Sequence, residues 1–426
     1  MKLFTSTAIA VAMSVTLPCV AAAQDSQSVG STVSSNFRRD QNVSVRQRPR
    51  PDYEALGIKM GGFTAYPRLT LSANHDDNIY ATAIDEEADT VWRVRPEVAL
   101  RSNWSRHALG AYAAASFNRH ADFSSENTEE YTLGVDGRVD IERGSTIVGS
   151  LQYEELTEAR TSPTSPSAAT SPVQYSLVVG SLNGVKEFNR LRLLASFDSK
   201  LYDYEDAHNA AGGVIEQDTR DRDEFRFGGK AEYAVSPDTA LFLAVKGNKK
   251  DYDLAIAGRD SDGYTATVGA NFELSQVIRG SLEGGYMKQS YDNPAYTDID
   301  GFNALGRVEW FPTQLTTVTV NGARTIEEAV AVGAQGYIAS TVNASIDHEL
   351  LRNVLLSAQA SYEDDDYRSI DRSDKRTGFG ASATYLMNRN VALILSYSFL
   401  KQESSGSDKS SSFDDNKIAA SLALQF

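Results

Sequence analysis

Cysteine is almost missing from this chain: 426 residues contain one, Cys19, inside an N-terminal stretch expected to be removed. A mature chain without cysteine excludes a disulfide framework, thiol catalysis and thiolate-held metals. Long apolar runs are missing too. Nothing after the N-terminal stretch approaches the run of about 18 apolar residues that a spanning helix requires, so a helical membrane protein is excluded. Histidine is sparse, with five residues (His75, His107, His120, His208 and His348) and neither HExxH nor a paired spacing. The chain also lacks GxSxG and phosphate-loop motifs. No metal, cofactor, catalytic residue or enzymatic activity is expected, and a net charge of −16 offers nucleic acid no basic footprint.

What is present begins with a secretory signal. Lys2 supplies the charged start, Thr7 through Leu17 the apolar stretch, and Ala21-Ala22-Ala23 the small residues before Gln24. Cleavage is expected after Ala23, giving residues 1–23 as signal peptide. Pro18, immediately before Cys19, spoils a lipoprotein-type processing site. Residues 24–62 carry Ser, Gln and Asn and then the basic Arg46-Gln47-Arg48-Pro49-Arg50-Pro51. That composition predicts an extended periplasmic segment, with arginines free to touch lipid phosphates or a partner, or simply solvated.

From Tyr66 onward the chain alternates with period two, the strand signal. Trp92, Val94, Pro96, Val98 and Leu100 share one face of a segment whose other face carries Arg93, Arg95, Glu97 and Ala99. The same pattern places strands near 66–74, 90–103, 106–118, 128–141, 144–158, 173–186, 189–203, 221–235 and 238–252. Nine more fall near 262–275, 277–291, 299–311, 313–326, 336–349, 351–363, 375–388, 390–402 and 412–426. Connections alternate between long (Ala159 to Pro172, Tyr204 to Arg220, Asp364 to Asp374) and short (Glu142-Arg143-Gly144, Ser236-Pro237-Asp238). Short periplasmic turns and longer extracellular loops are the signature of an outer-membrane barrel. The expectation is an all-β fold: one transmembrane antiparallel up-and-down β-barrel over residues 63–426, with about 18 strands, or 16 as the alternative.

Hydrocarbon tolerates no unpaired strand edge, so the last strand must close on the first. Leu422, Leu424 and Phe426 share its apolar face, and a terminal Phe in that setting resembles the signal read by the bacterial barrel-assembly machinery. Lipid and lipopolysaccharide are the expected surroundings. Parity puts Arg93, Arg95, Glu97, Arg138, Arg192, Arg226, Lys230, Glu232, Arg279, Glu283, Arg307 and Glu309 toward the lumen. Arg or Lys on the lipid side near the midplane would cost about 2–4 kcal/mol each. These charges are either selectivity elements or ion-paired struts. Acidic runs, Asp76-Asp77, Asp85-Glu86-Glu87, Glu363 through Asp366 and Asp414-Asp415, are assigned to the long loops.

Arg48-Pro49-Arg50-Pro51-Asp52-Tyr53, Leu56-Gly57-Ile58, Gly62-Phe63, Tyr66-Pro67, Asp76-Asp77-Asn78-Ile79-Tyr80 and Arg95-Pro96 together resemble the start of the putative β-barrel porin 2 family of proteobacterial outer-membrane proteins. The resemblance implies a Gram-negative outer-membrane location and no catalytic residue. It also raises a periplasmic polysaccharide-export protein as a partner. The leading expectation is an outer-membrane porin-like channel, with a pore for exopolysaccharide export as its narrower form. The alternatives are a structural or surface-binding barrel without an open pore, and last a barrel-borne enzyme.

Overall fold

The computed structural model describes residues 43–426 except 167, 255–257, 276, 330 and 332, so the expected signal peptide, residues 1–23, and residues 24–42 lie outside the described residues. Eighteen long strands follow one another: β1 (Phe63–Asp76), β2 (Asp89–Ser102), β3 (Ala108–His120), β4 (Thr128–Glu142), β5 (Ser145–Thr157) and β6 (Gln174–Phe188). Next come β7 (Leu191–Tyr204), β8 (Arg222–Ser236), β9 (Thr239–Tyr252), β10 (Ser261–Leu274), β11 (Ile278–Tyr291) and β12 (Ile299–Thr313). The last six are β13 (Thr316–Glu328), β14 (Gly336–Leu351), β15 (Val354–Tyr367), β16 (Ser373–Leu386), β17 (Val391–Ser405) and β18 (Phe413–Gln425). Each pairs antiparallel with its sequence neighbours, and β18 pairs with β1 from Arg68↔Gln425 to Asp76↔Lys417. The sheet is therefore closed, and no edge remains for hydrocarbon to strand. Phe426 adds one bond at the seam, its N–H donating to the Pro67 carbonyl at 3.2 Å.

Exposure follows the pleat with the sense reversed from a soluble protein. On β4, Leu133, Val135, Val139 and Ile141 are 51–56% exposed, while Asp136 between them is 4% exposed. Apolar side chains line the outside for lipid, and charged ones turn in. Contacts between non-adjacent strands confirm which side is interior. Arg101 of β2 meets Asp136 of β4 at 2.9 Å, and Asn271 of β10 donates to Glu232 of β8 at 2.8 Å.

Turns on the rim that holds both chain ends are short, as at Arg143–Gly144, where Gly144 takes φ +77° without a Cβ penalty. The opposite rim carries the longer connections. Three acidic runs assigned to loops reach into strands, and the first of them begins at Asp76, which closes β1. Glu363 through Asp366 belong to β15, and Asp414–Asp415 to β18, because both strands run further outward than the acid-rich composition suggested. Alternation continues through the acids: Glu363, Asp365 and Asp415 turn inward and are buried.

The N-terminal segment departs from expectation as well. Val43 through Gly57 is not free: it forms turns against the inner wall at the periplasmic end, and Val45 is 1% exposed. Ile58–Met60 then pairs with Phe63–Ala65, extending the sheet beyond the point where β18 ends.

Candidate functional site in the lumen

The inner wall is a lattice of short ion pairs, built because residues i and i+2, and residues opposite each other on neighbouring strands, share a face. Arg95 meets Glu97 at 3.3 Å, with Arg68 on the far side of the same carboxylate at 3.8 Å. Arg138 pairs with Asp140 at 3.2 Å and Arg226 with Glu224 at 3.2 Å. Arg192 and Lys230 converge on the fully buried Glu232 at 3.3 and 2.7 Å. Arg279 and Arg307 converge on Glu309, the second at 2.9 Å. Arg93 donates to Asn118 Oδ1 at 2.6 Å, and Glu283 accepts from Thr267 at 3.5 Å. All twelve positions assigned by parity lie on the face that makes these contacts. They form several separate clusters along the wall.

Burial divides them. Arg192 and Glu232 are sealed by packing, with Lys230 Nζ 3.8 Å from the Phe242 ring. By contrast the side chains of Arg95, Arg138, Arg226 and Arg307 keep 44–57% of their surface accessible although they point inward.

The outer mouth carries a structure that strand reasoning missed. The β12–β13 ladder stops going outward at Ala304↔Arg324, whereas β13–β14 pairing continues to Glu328↔Gly336. Beyond that point β13 parts from β12, while β14 stays paired with β15 out to Tyr337↔Tyr367, so the outer end of the β13–β14 hairpin turns inward over β11 and β12 with β15 still attached. Alternation with Val320 and Val342 would give Ile326 and Ile338 to lipid. Instead Ile338, 1% exposed, packs with Met287, Tyr291 and Ile299 of the inner wall, and Ile326 lies against the same group. Glu328 reaches β9, accepting from Tyr252 Oη at 2.8 Å and pairing with Lys250. The tip is held by Arg259, which donates to the Ala329 carbonyl at 2.5 Å, and by Gln335, which donates to the Thr297 carbonyl at 2.9 Å. Asn303 Nδ2 caps the freed Arg324 carbonyl at 2.9 Å, so the opened ladder is not left bare.

Comparison with known proteins places this architecture. The sequence matches the family described as Putative beta-barrel porin 2 over residues 50–426. The chain belongs to that family. No curated protein matches it. Similar solved structures include OccAB3 of Acinetobacter baumannii, with 11% identity, TM-score 0.46, and 86% of this chain and 100% of that chain covered. The outer membrane protein opdK of Pseudomonas aeruginosa shows 12% identity, TM-score 0.45, and 85% and 99% coverage. A BenF-like porin of Pseudomonas fluorescens Pf-5 shows 11% identity, TM-score 0.47, and 85% and 99% coverage.

As a member of a porin family, the chain is a porin-like outer-membrane barrel, and its remaining polar clusters are read in that setting. Asp76, Asp77 and Asp415 bring carboxylate oxygens within 4.8 Å of one another at the outer end of the seam. Lys417 Nζ already sits between two of them, 2.6 Å from Asp76 and 3.0 Å from Asp415, so the chain supplies its own cation there. In the loop before β8, burial, together with Asp203, Asp218 and Asp253, pushes the Asp221 carboxyl up to about 6 while it accepts the Tyr204 N–H at 2.7 Å.

Proposed function

We propose that this porin is a water-filled but narrowed channel that passes small hydrophilic solutes across the outer membrane. The observation that carries the reading is the accessibility of inward-pointing guanidiniums. Arg95 is 46% exposed and Arg307 57% exposed, on a face walled from lipid by a closed sheet. A charge in a dry barrel would be costly unless fully paired, so such exposure favours a hydrated interior. Eighteen strands give a lumen wide enough for water. The infolded hairpin supports a narrowed outer mouth in place of a free pore.

Lipid, and lipopolysaccharide in the outer leaflet, are the partners suited to the apolar belt. The barrel-assembly machinery is the partner suited to the strand ending in Leu422, Leu424 and Phe426. A conduit for secreted polysaccharide finds no support, since neither the family description nor any wall feature selects a polymer, and a hairpin across the mouth would obstruct one. The hairpin does favour one competing reading, a barrel closed at rest.

Planar-bilayer recording of the purified, folded protein decides between them: discrete channels are expected, and their complete absence would sink the pore reading. If the exposed arginines set selectivity, Arg95→Glu combined with Arg307→Glu lowers the anion-to-cation permeability ratio several-fold. Unchanged reversal potentials in a salt gradient would return both residues to a purely structural part.

A further inference from the structure

We infer that the chain carries its own periplasmic stopper: the arginine arm around Arg46, Arg48 and Arg50 docks on an acidic site inside the inner mouth and narrows it. The inference rests on the channel reading. Asp347 and Glu349 lie on β14, two residues apart, so the pleat points both carboxylates into the lumen near its periplasmic end. Arg46 Nε meets Asp347 at 2.6 Å, while Arg48 and Arg50 meet Glu349 at 3.1 and 2.9 Å.

The contact is more than charge. The Val45 N–H donates to Thr317 Oγ1 at 3.0 Å, with both residues 1% exposed. Arg50 donates to the Val45 carbonyl at 2.8 Å, folding the arm into a compact knot. Beyond the knot the arm runs along the rim. Its Pro51 carbonyl accepts from Arg389, in the turn between β16 and β17, at 3.2 Å. Its Tyr53 carbonyl accepts from Gln425 of β18 at 3.2 Å. The arm thus follows the inner rim from β13–β14 to β18.

Two carboxylates facing three guanidiniums, with backbone bonds excluding water at Val45, make a site specific for this segment. Exposed pairs weaken as salt rises, whereas the buried Arg50–Glu349 pair is screened less. Docking therefore loosens in steps with ionic strength.

The test uses the full mature chain, which lacks cysteine once residues 1–23 are gone, with Val45→Cys and Thr317→Cys introduced together. The disulfide is expected to form on oxidation, and the locked protein to conduct several-fold less than a chain deleted for residues 43–54. Asp347→Asn with Glu349→Gln, which keeps barrel and arm intact, is expected to speed tryptic cleavage of the Arg46–Gln47 bond by tenfold or more. Failure to form the disulfide, or equal conductance of locked and deleted chains, overturns the stopper while leaving the channel standing. Absence of current from every variant, the arm-deleted chain included, brings down the channel reading and the stopper with it.

Discussion

Ile338→Asp is expected to raise single-channel conductance several-fold without unfolding the barrel. Ile338 is 1% exposed and holds the outer hairpin against Met287, Tyr291 and Ile299. Removing its apolar contact forfeits about 1.5–3 kcal/mol. Burying a carboxylate there without a partner adds a cost of at least about 1–3 kcal/mol. A combined penalty of about 2.5 kcal/mol or more shifts the docked-to-undocked ratio by roughly 70-fold or more. Ile338 sits near the outer end of the β14–β15 ladder, at Ile338↔Asp366, so the pairs from Ala339↔Asp365 inward keep the wall closed, and β12–β13 pairing already ends at Ala304↔Arg324. Heat-modifiable migration on gels reports the intact barrel, and planar bilayers report the opening. A folded variant with unaltered conductance would mean that the hairpin does not narrow the mouth. Glu328→Gln is the milder companion, expected to give frequent brief openings, since Lys250 and Tyr252 retain a neutral partner.

Deleting Phe426 is expected to abolish assembly of the barrel in the outer membrane, whereas Phe426→Tyr preserves it. Phe426 is 58% exposed, so its loss removes little packing, and the seam bonds from Arg68↔Gln425 to Asp76↔Lys417 remain available. The large effect follows from the proposed recognition of β18 during assembly, as the strand that must be delivered to β1. The fraction of heat-modifiable protein in isolated outer membranes measures it. Normal assembly of the shortened chain would show that the seam pairs unaided by its terminal residue.

Much of this architecture was legible in the residues. Period two survives because each wall position has only two environments, lipid and lumen, and charge is tolerated in one of them. Leu133 and Asp136 show it, the first half-exposed to lipid and the second buried inside. The infolded hairpin was not legible that way. Ile326 and Ile338 alternate as lipid-facing residues do, and only the missing β12–β13 bonds reveal the bend. One signal was available: residues 329–334 read Ala-Val-Ala-Val-Gly-Ala, an apolar run between two strand patterns, matched in the sequence by Leu-Ala-Ile-Ala-Gly at 254–258. The acidic site for the arm was hidden for a different reason. Arg46 and Asp347 are separated by 301 residues, and only the completed barrel brings them together. Parity alone proposes the twelve lumen charges, but it cannot tell a sealed pair such as Arg192–Glu232 from an accessible one such as Arg307–Glu309.

A closed wall with lipid outside and water inside can be read out by single-cysteine labelling along β12 in sealed lipid vesicles. The chain from Gln24 onward contains no cysteine and provides the background. A water-soluble maleimide is expected to modify Arg307→Cys rapidly and to leave Phe302→Cys and Val308→Cys unmodified, following the pleat. Equal labelling at Arg307→Cys and Val308→Cys, or protection at Arg307→Cys alone, would contradict a hydrated lumen.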